Sequence, residues 1–234
     1  MEYSTYNKIL ESVTKMAPIE SGVQALVYML ILEVLKDNEH EQINAVIIDR
    51  MQNHSVFMSY GGISDIALVK NGFDYTISGR DEIKLCIEVK NVLEEINNRQ
   101  IKQQLLTYKK AIITNGSKWV FYKLDDTFFT HELKDKINVV IEKENRLAQI
   151  KKDLRGCYIT RTNYLKKEAE TDEIDSIISK HVSEKIKLED AIASFRKKID
   201  GKVGYRTIKP ETQFEIVDQK SIDEVREKII EYIK

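Results

Sequence analysis

Cysteine and proline are nearly missing from this chain. Two cysteines, Cys86 and Cys157, among 234 residues exclude a disulfide scaffold and read as reduced thiols. Two prolines and nine glycines leave few segments that look like linkers. The four histidines, His40, His54, His131 and His181, are scattered without the spacing of a metal site, and His54 reads as a surface turn residue. An excess of one charge is absent as well: Lys+Arg total 37 and Asp+Glu 38, a net charge of −1, so bulk charge names no partner. The longest apolar stretch, Val23 to Leu35, is interrupted by Gln24 and Glu33 and is too short for a bilayer span. The opening MEYSTYNKILESVTKM has no apolar core behind a basic flank. The expectation is a soluble, cytoplasmic protein with no membrane partner. No Ser-His-Asp or Cys-His arrangement and no glycine-rich dinucleotide loop occurs.

What is present is a core and an uneven charge map. The chain is 42% hydrophobic and 32% charged, enough apolar surface to fold. Residues 97–123 carry Arg99, Lys102, Lys109, Lys110, Lys118 and Lys123 with no acid, a net +6. Residues 151–167 and 196–209 each carry +5. Tyr158, Tyr164 and Tyr205 lie among these cations. Clustered cations displace the counterions of a polyanion, and tyrosines stack on bases, so nucleic acid is the partner class these stretches suggest. Taken singly, each stretch reads as a solvated helix face sooner than as a binding site.

Along the chain, Pro18 can open a helix, and Val23, Leu26, Val27, Leu30, Ile31, Val34 and Leu35 follow at spacings of three and four. Ala25, Tyr28, Met29 and Leu32 on its other faces predict burial almost all round. Strand-like runs follow at Ile43–Met51, Val56–Tyr60, Ile63–Lys70, Tyr75–Ser78 and Ile83–Val92, separated by Gly61-Gly62, Asn71-Gly72 and Gly79-Arg80-Asp81. Residues 97–113 return to helical spacing through Ile101, Leu105, Tyr108 and Ile112. Asn115-Gly116 ends that helix, and KWVFYKL (118–124) reads as a strand. The pattern predicts an α/β core of helix, mixed but mainly antiparallel sheet, helix and strand over residues 1–134. Residues 135–234 read as a mainly helical extension, with a strand-like piece at Thr212–Val217 and a last helix from Ser221.

The chemistry is carried by Asp65 in ISDIALV and by Glu88 and Lys90 in KLCIEVKNV. Alternation puts Leu85, Ile87 and Val89 on one face and Cys86, Glu88 and Lys90 on the other. If Asp65 lies on a neighbouring strand, two carboxylates and an ammonium converge. Such anions repel and resist desolvation, and a divalent cation resolves the conflict. Asp65, Glu88 and the Val89 carbonyl offer hard oxygen ligands suited to Mg²⁺, and Lys90 can hold the attacking water and offset charge on phosphorus. Cys86 and Trp119 read as packing residues.

Asp65 in GGISDIALV, Glu88 and Lys90 in CIEVK, Gln104 and Tyr108 in QLLTY, and the run ITNGSKWVFYK (113–123) together resemble the PD-(D/E)XK nuclease superfamily. Within it the likeness is to the N-terminal nuclease domain of type I restriction enzyme motor subunits and their stand-alone relatives, over roughly residues 15–125. The resemblance implies a restriction-endonuclease-like core and a Mg²⁺- or Mn²⁺-dependent nuclease, with DNA the expected substrate. The implied products carry 5′-phosphate and 3′-hydroxyl ends. It implies metal ligation by Asp65, Glu88 and the Val89 carbonyl, a catalytic Lys90, and a Gln104 that reaches the site with Tyr108 supporting it or touching the nucleic-acid backbone. Glu20, in APIESGVQAL, matches the place of a further carboxylate on the first core helix, with Glu33 as the alternative. Arg99, Lys102, Lys109, Lys110 and Lys118 are the expected phosphate contacts. Two departures stand out: Ser64 occupies the position before the Asp where many relatives have Pro, and no Gly-x-x-x-x-Gly-Lys-Ser/Thr loop occurs. A homodimer through the C-terminal helices is the expected way to reach both strands of a duplex. A catalytically silent nucleic-acid-binding module of the same fold is the alternative.

Overall fold

A six-stranded mixed sheet with its strands in sequential order organises the larger of two units. The fold is that of a computed structural model describing residues 1–16, 19–37, 42–48, 55–96, 98–125, 128–166 and 171–234. The strands are β1 (Ile43–Ile47), β2 (Ile66–Lys70), β3 (Ile83–Val89), β4 (Lys110–Thr114), β5 (Lys118–Lys123) and β6 (Thr212–Glu215). The helices are α1 (Tyr3–Met16), α2 (Glu20–Asp37), α3 (Asn98–Tyr108), α4 (His131–Lys166), α5 (Asp172–Asp200) and α6 (Gln219–Ile233). The fold is α/β, as expected. Every neighbouring pair of strands is antiparallel except β3 and β4, which run parallel with α3 between them in the chain.

Alternation in the strands sorts the two faces of the sheet. Ile66, Leu68, Leu85, Ile87, Val89, Ile112, Trp119 and Phe121 share one cluster with Tyr6 and Leu10 of α1, Val23 to Val34 of α2, and Ile222 to Ile233 of α6. Ala67, Val69 and Cys86 face the other way, against Ile48, Val56, Phe57 and Tyr108. A bulge between β2 and β3 shifts the register from Leu68↔Leu85 to Val69↔Ile83. Lys84 is thereby left unpaired in the ladder, and Ile83 joins the second face. Trp119 is fully buried, as its sequence context suggests.

Several local readings are corrected. Helix α2 buries one side only, and Met29 and Leu32 stay exposed at 38% and 44%, because a single sheet face with α1 and α6 covers one side of it. Pro18, expected to open it, lies outside the described residues, as do His40, His54 and residues 49–51. The run Val56–Tyr60 forms a 3-10 turn (Ser55–Phe57) and an isolated bridge Ser59↔Gly62 rather than a strand, and Tyr75–Ser78 is a turn.

The helix expected over 97–113 ends at Tyr108. Lys109 adopts φ 63, its N–H donates to the Leu105 carbonyl at 3.0 Å, and Lys110–Thr114 continues as β4. This left-handed cap usually takes glycine. Ile112 fits a helical stripe and a strand equally well, which is why spacing misread it.

The chain after residue 129 does not form one helical extension. Tyr205–Lys234 belongs to the sheet unit, whereas Thr130–Gly204 clusters by itself. Strand β6 extends the sheet beside β5, and α6 supplies Ile222, Val225, Ile229, Tyr232 and Ile233 to the core. The helical extension is therefore an insertion of α4 and α5. At about 1.5 Å per residue α4 is about 54 Å long. It pairs antiparallel with α5 through a seam of Ile150, Leu154 and Ile178 and through Arg146–Glu184 at 2.8 Å and Arg196–Glu144 at 3.1 Å. The first pair is largely exposed and the second half-buried; surface pairs contribute at most about 1 kcal/mol each, so the apolar seam is the main support of the helix pair. Among the described residues no helix is long and apolar enough to cross a membrane.

The register makes a prediction about the two thiols. Cys86 is buried in the second face, and burial pushes its pKa up to about 12, whereas Cys157 is only half-buried. Because the thiolate is the nucleophile, native protein at pH 8 should release one fast equivalent with an aromatic disulfide reagent, and two in guanidinium. Two fast equivalents in native buffer would contradict the placement of β3.

Candidate active site

At the C-terminal end of β3 the sheet buries charge. The register Ile66↔Ile87 continues to Asp65 opposite Glu88, and the Asp65 N–H donates to the Ile87 carbonyl at 3.2 Å. Directly opposed residues share a face, with Cβ atoms about 5 Å apart. The Asp65 carboxylate turns back along the strand end, and its Oδ2 accepts from the Val89 N–H at 2.7 Å. The Asp65 carbonyl accepts from Ile48 N–H at 2.9 Å and from Gln24 Nε2 at 3.1 Å. Strand β3, the end of β1 and helix α2 thus fix this residue, which is 4% exposed.

Glu88 has no exposed surface. Its Oε1 accepts from Lys90 Nζ at 2.7 Å and from Gln100 Nε2 at 2.7 Å, and its Oε2 accepts from Gln104 Nε2 at 2.9 Å. Burying a carboxylate costs several kcal/mol even after relaxation. Three donors to a charged acceptor, at about 1.5–3 kcal/mol each, are of the size needed to offset that cost. Lys90 continues the strand direction because its N–H donates to the Thr114 carbonyl of β4 at 2.8 Å, and its side chain stays partly accessible. Asp65, Glu88 and Lys90, named from the sequence, come together at one point.

Helix α3 reaches this point because a turn before Asp65 lies directly on it. Tyr60 N–H donates to Thr107 Oγ1 at 3.0 Å, and Tyr108 OH donates to the Phe57 carbonyl at 2.9 Å. Gly61 touches the helix backbone. A Cβ there would lie 2.6 Å from Gln104 N and 2.7 Å from the Gln100 carbonyl. Gly62, at φ 96, has open space around it but needs glycine for its conformation. The two glycines of GGISD have different duties, one steric and one torsional.

The remaining expected site residues separate into groups. Glu20 sits in the first turn of α2, one turn before Gln24, on the helical face that reaches Asp65. Among the described residues, however, no group of three His, Cys, Asp or Glu side chains is placed to hold a metal ion, so Glu20 does not join Asp65 and Glu88 in a ligand set. Glu33 pairs with the N-terminal ammonium of Met1 and serves structure. Tyr108 packs behind the site with Cys86, its hydroxyl given to Phe57, so its aromatic ring supports the fold.

Lys102 donates to the Tyr205 carbonyl at 3.0 Å, and burial lowers its pKa. Lys110 donates to the Tyr232 carbonyl at 2.8 Å at the end of α6, where a cation complements the helix dipole, and burial lowers its pKa too. Both are tied to the fold by these bonds. Arg99, Lys109 and Lys118 are exposed.

Sequence reading missed Gln100, Gln24 and the steric role of Gly61. Gln100, Gln104 and Tyr108 recur every four residues, so the stripe was present in the sequence. Only the fold shows that two of its members grip one carboxylate.

The donor set fits a hard divalent cation: two carboxylates on opposed strand positions, a backbone carbonyl at Val89 between Glu88 and Lys90, and a single ammonium. The buried Gln104 Oε1 has no hydrogen-bond partner, an acceptor that a water on such a cation would satisfy. No family model, curated protein or solved structure matches the chain.

The two glycines give a prediction that separates their roles. Gly61→Ala should cost about 1–3 kcal/mol, as overpacking does, because backbone rather than a flexible side chain meets the new methyl. Gly62→Ala should cost about 1–2 kcal/mol from backbone strain alone. Urea unfolding midpoints measure both. Only Gly61→Ala should also disturb the Gln104 side-chain amide resonances, since only Gly61 touches α3.

Proposed function

We propose that this chain is a divalent-metal-dependent nuclease that hydrolyses phosphodiester bonds, most suitably of DNA, on a restriction-endonuclease-like core. The observation carrying the proposal is the meeting of Asp65, Glu88 and Lys90 at the end of β3, with Gln104 on the second oxygen of Glu88. The order of helix, antiparallel strands, crossover helix and parallel strand supports it.

Asp65, Glu88 and the Val89 carbonyl would hold Mg²⁺ or Mn²⁺. When bound, such an ion polarises a phosphoryl oxygen and makes a coordinated water acidic enough to attack at neutral pH. Lys90, with three N–H donors on a partly accessible side chain, orients the attacking water and offsets the negative charge that builds on phosphorus. Gln104 keeps Glu88 turned toward the site. Val89 N–H holds Asp65 Oδ2, so the Asp65 side chain does not swing as substrate enters. Arg99 at the start of α3 and Lys118 at the start of β5, both exposed, provide cations for the phosphates that flank the scissile bond. Pairing of two copies through α4 and α5, where Tyr158, Ile159 and Leu165 are exposed, belongs to the same proposal as a route to cutting both strands.

The test is incubation of linear, circular and single-stranded DNA, and of RNA, with Mg²⁺, Mn²⁺ or EDTA. Asp65→Asn keeps an acceptor for Val89 N–H, and Lys90→Gln keeps a donor for Glu88. Each should lose at least about a hundredfold in cleavage rate, with far-UV circular dichroism unchanged and DNA retained by Lys90→Gln. EDTA should abolish cutting by the parent. DNA binding without cleavage by the parent in any metal would favour the silent module, and equal cleavage by both variants would overturn the assignment.

A further inference from the structure

We propose that Gln100 is a positioning residue of this site, holding Glu88 Oε1 in place when Lys90 moves away from it. The proposal rests on the metal-dependent reading above. In the structure Oε1 has two donors at the same distance, Lys90 Nζ and Gln100 Nε2, each at 2.7 Å. They respond differently to a cation. An ammonium is repelled by a dication approaching the same carboxylate, whereas a neutral amide is not. Lys90 is also the group with work to do elsewhere, at the water. As Lys90 leaves, Gln100 still donates to Oε1 and Gln104 to Oε2.

The two amides come from successive turns of α3 and take the two oxygens of one carboxylate, so together they fix its rotation as well as its position. The turn at Gly61 reinforces that grip. Its backbone lies against the Gln100 carbonyl and Gln104 N–H, so the helix segment between the two glutamines has little room to shift. A buried carboxylate held by one amide could rotate about that bond, and one held by two cannot. Partners that orient a ligand in this way commonly matter tenfold to a hundredfold for metal affinity or activity.

The variants are Gln100→Met, which keeps length and bulk without a donor, and Gln100→Asn, which keeps the amide but is one methylene too short to reach. Mn²⁺ binding is read by electron paramagnetic resonance of the free ion, stability by urea unfolding, and kcat and KM on linear DNA. Both variants should bind Mn²⁺ about tenfold more weakly or worse and lose kcat, with KM for DNA and the unfolding midpoint near those of the parent. If Gln100→Met does not fold, Gln100→Asn supplies the same readings. A parent that binds Mn²⁺ and cleaves, beside variants equal to it in Mn²⁺ affinity and kcat, overturns the positioning role and leaves the nuclease reading standing. A parent that neither binds Mn²⁺ nor cleaves overturns both.

Discussion

A carboxylate with no access to water sits at the end of the third strand, and the rest of the site follows from keeping it there. Glu88 needs donors on both oxygens, and they come from three places in sequence: Lys90 two residues on, and Gln100 and Gln104 across a helix. That requirement sets where α3 lies over the sheet. It also explains why the turn before Asp65 contains a glycine that lets two backbones touch. Oε1 keeps a donor when either Lys90 or Gln100 is lost, whereas a buried carboxylate stripped of its partners would cost several kcal/mol. The arrangement therefore couples the stability of the fold to the composition of the site.

The same economy divides the basic residues. A net +6 between residues 97 and 123 looks uniform when read along the chain. In the fold, Lys110 secures the last turn of α6 and Lys102 secures the return of the chain at Tyr205. Lys109 is itself the left-handed residue that turns α3 into β4. Arg99 and Lys118 are exposed. Charge density measured along a sequence thus overstates what is offered to a polyanion, because long cationic side chains also serve carbonyls at helix ends.

The insertion of α4 and α5 shows a different balance. Its helices carry many charges and a narrow apolar seam of Ile150, Leu154 and Ile178 with Ile174, Val182 and Leu188 beside it. Several large apolar side chains stay exposed, among them Tyr158, Ile159 and Ile186 at 50%, 56% and 52%. Two helices alone cannot cover all of their apolar positions, which is the geometric reason these residues face outward.

What was legible in the sequence was whatever depends on neighbours a few residues apart. Period-two alternation in IALV and LCIEV placed the core side of β2 and β3, and hence the polar side of Glu88. Helical spacing found the buried stripe of α2, and KWVFYK announced β5. Meeting points between distant segments were beyond it. KAIIT belongs to a helix by spacing and to a strand by fold, and one left-handed lysine decides between them. Residues 205–234 follow two long helices in the chain, yet they complete the sheet, because an edge strand and an apolar helix face find their partners in space rather than in order. Alternation is written into each segment by the geometry of its own backbone. Which carboxylate a glutamine holds depends on hydrogen bonds across 12 and 16 residues, and those exist only once the sheet and α3 have packed.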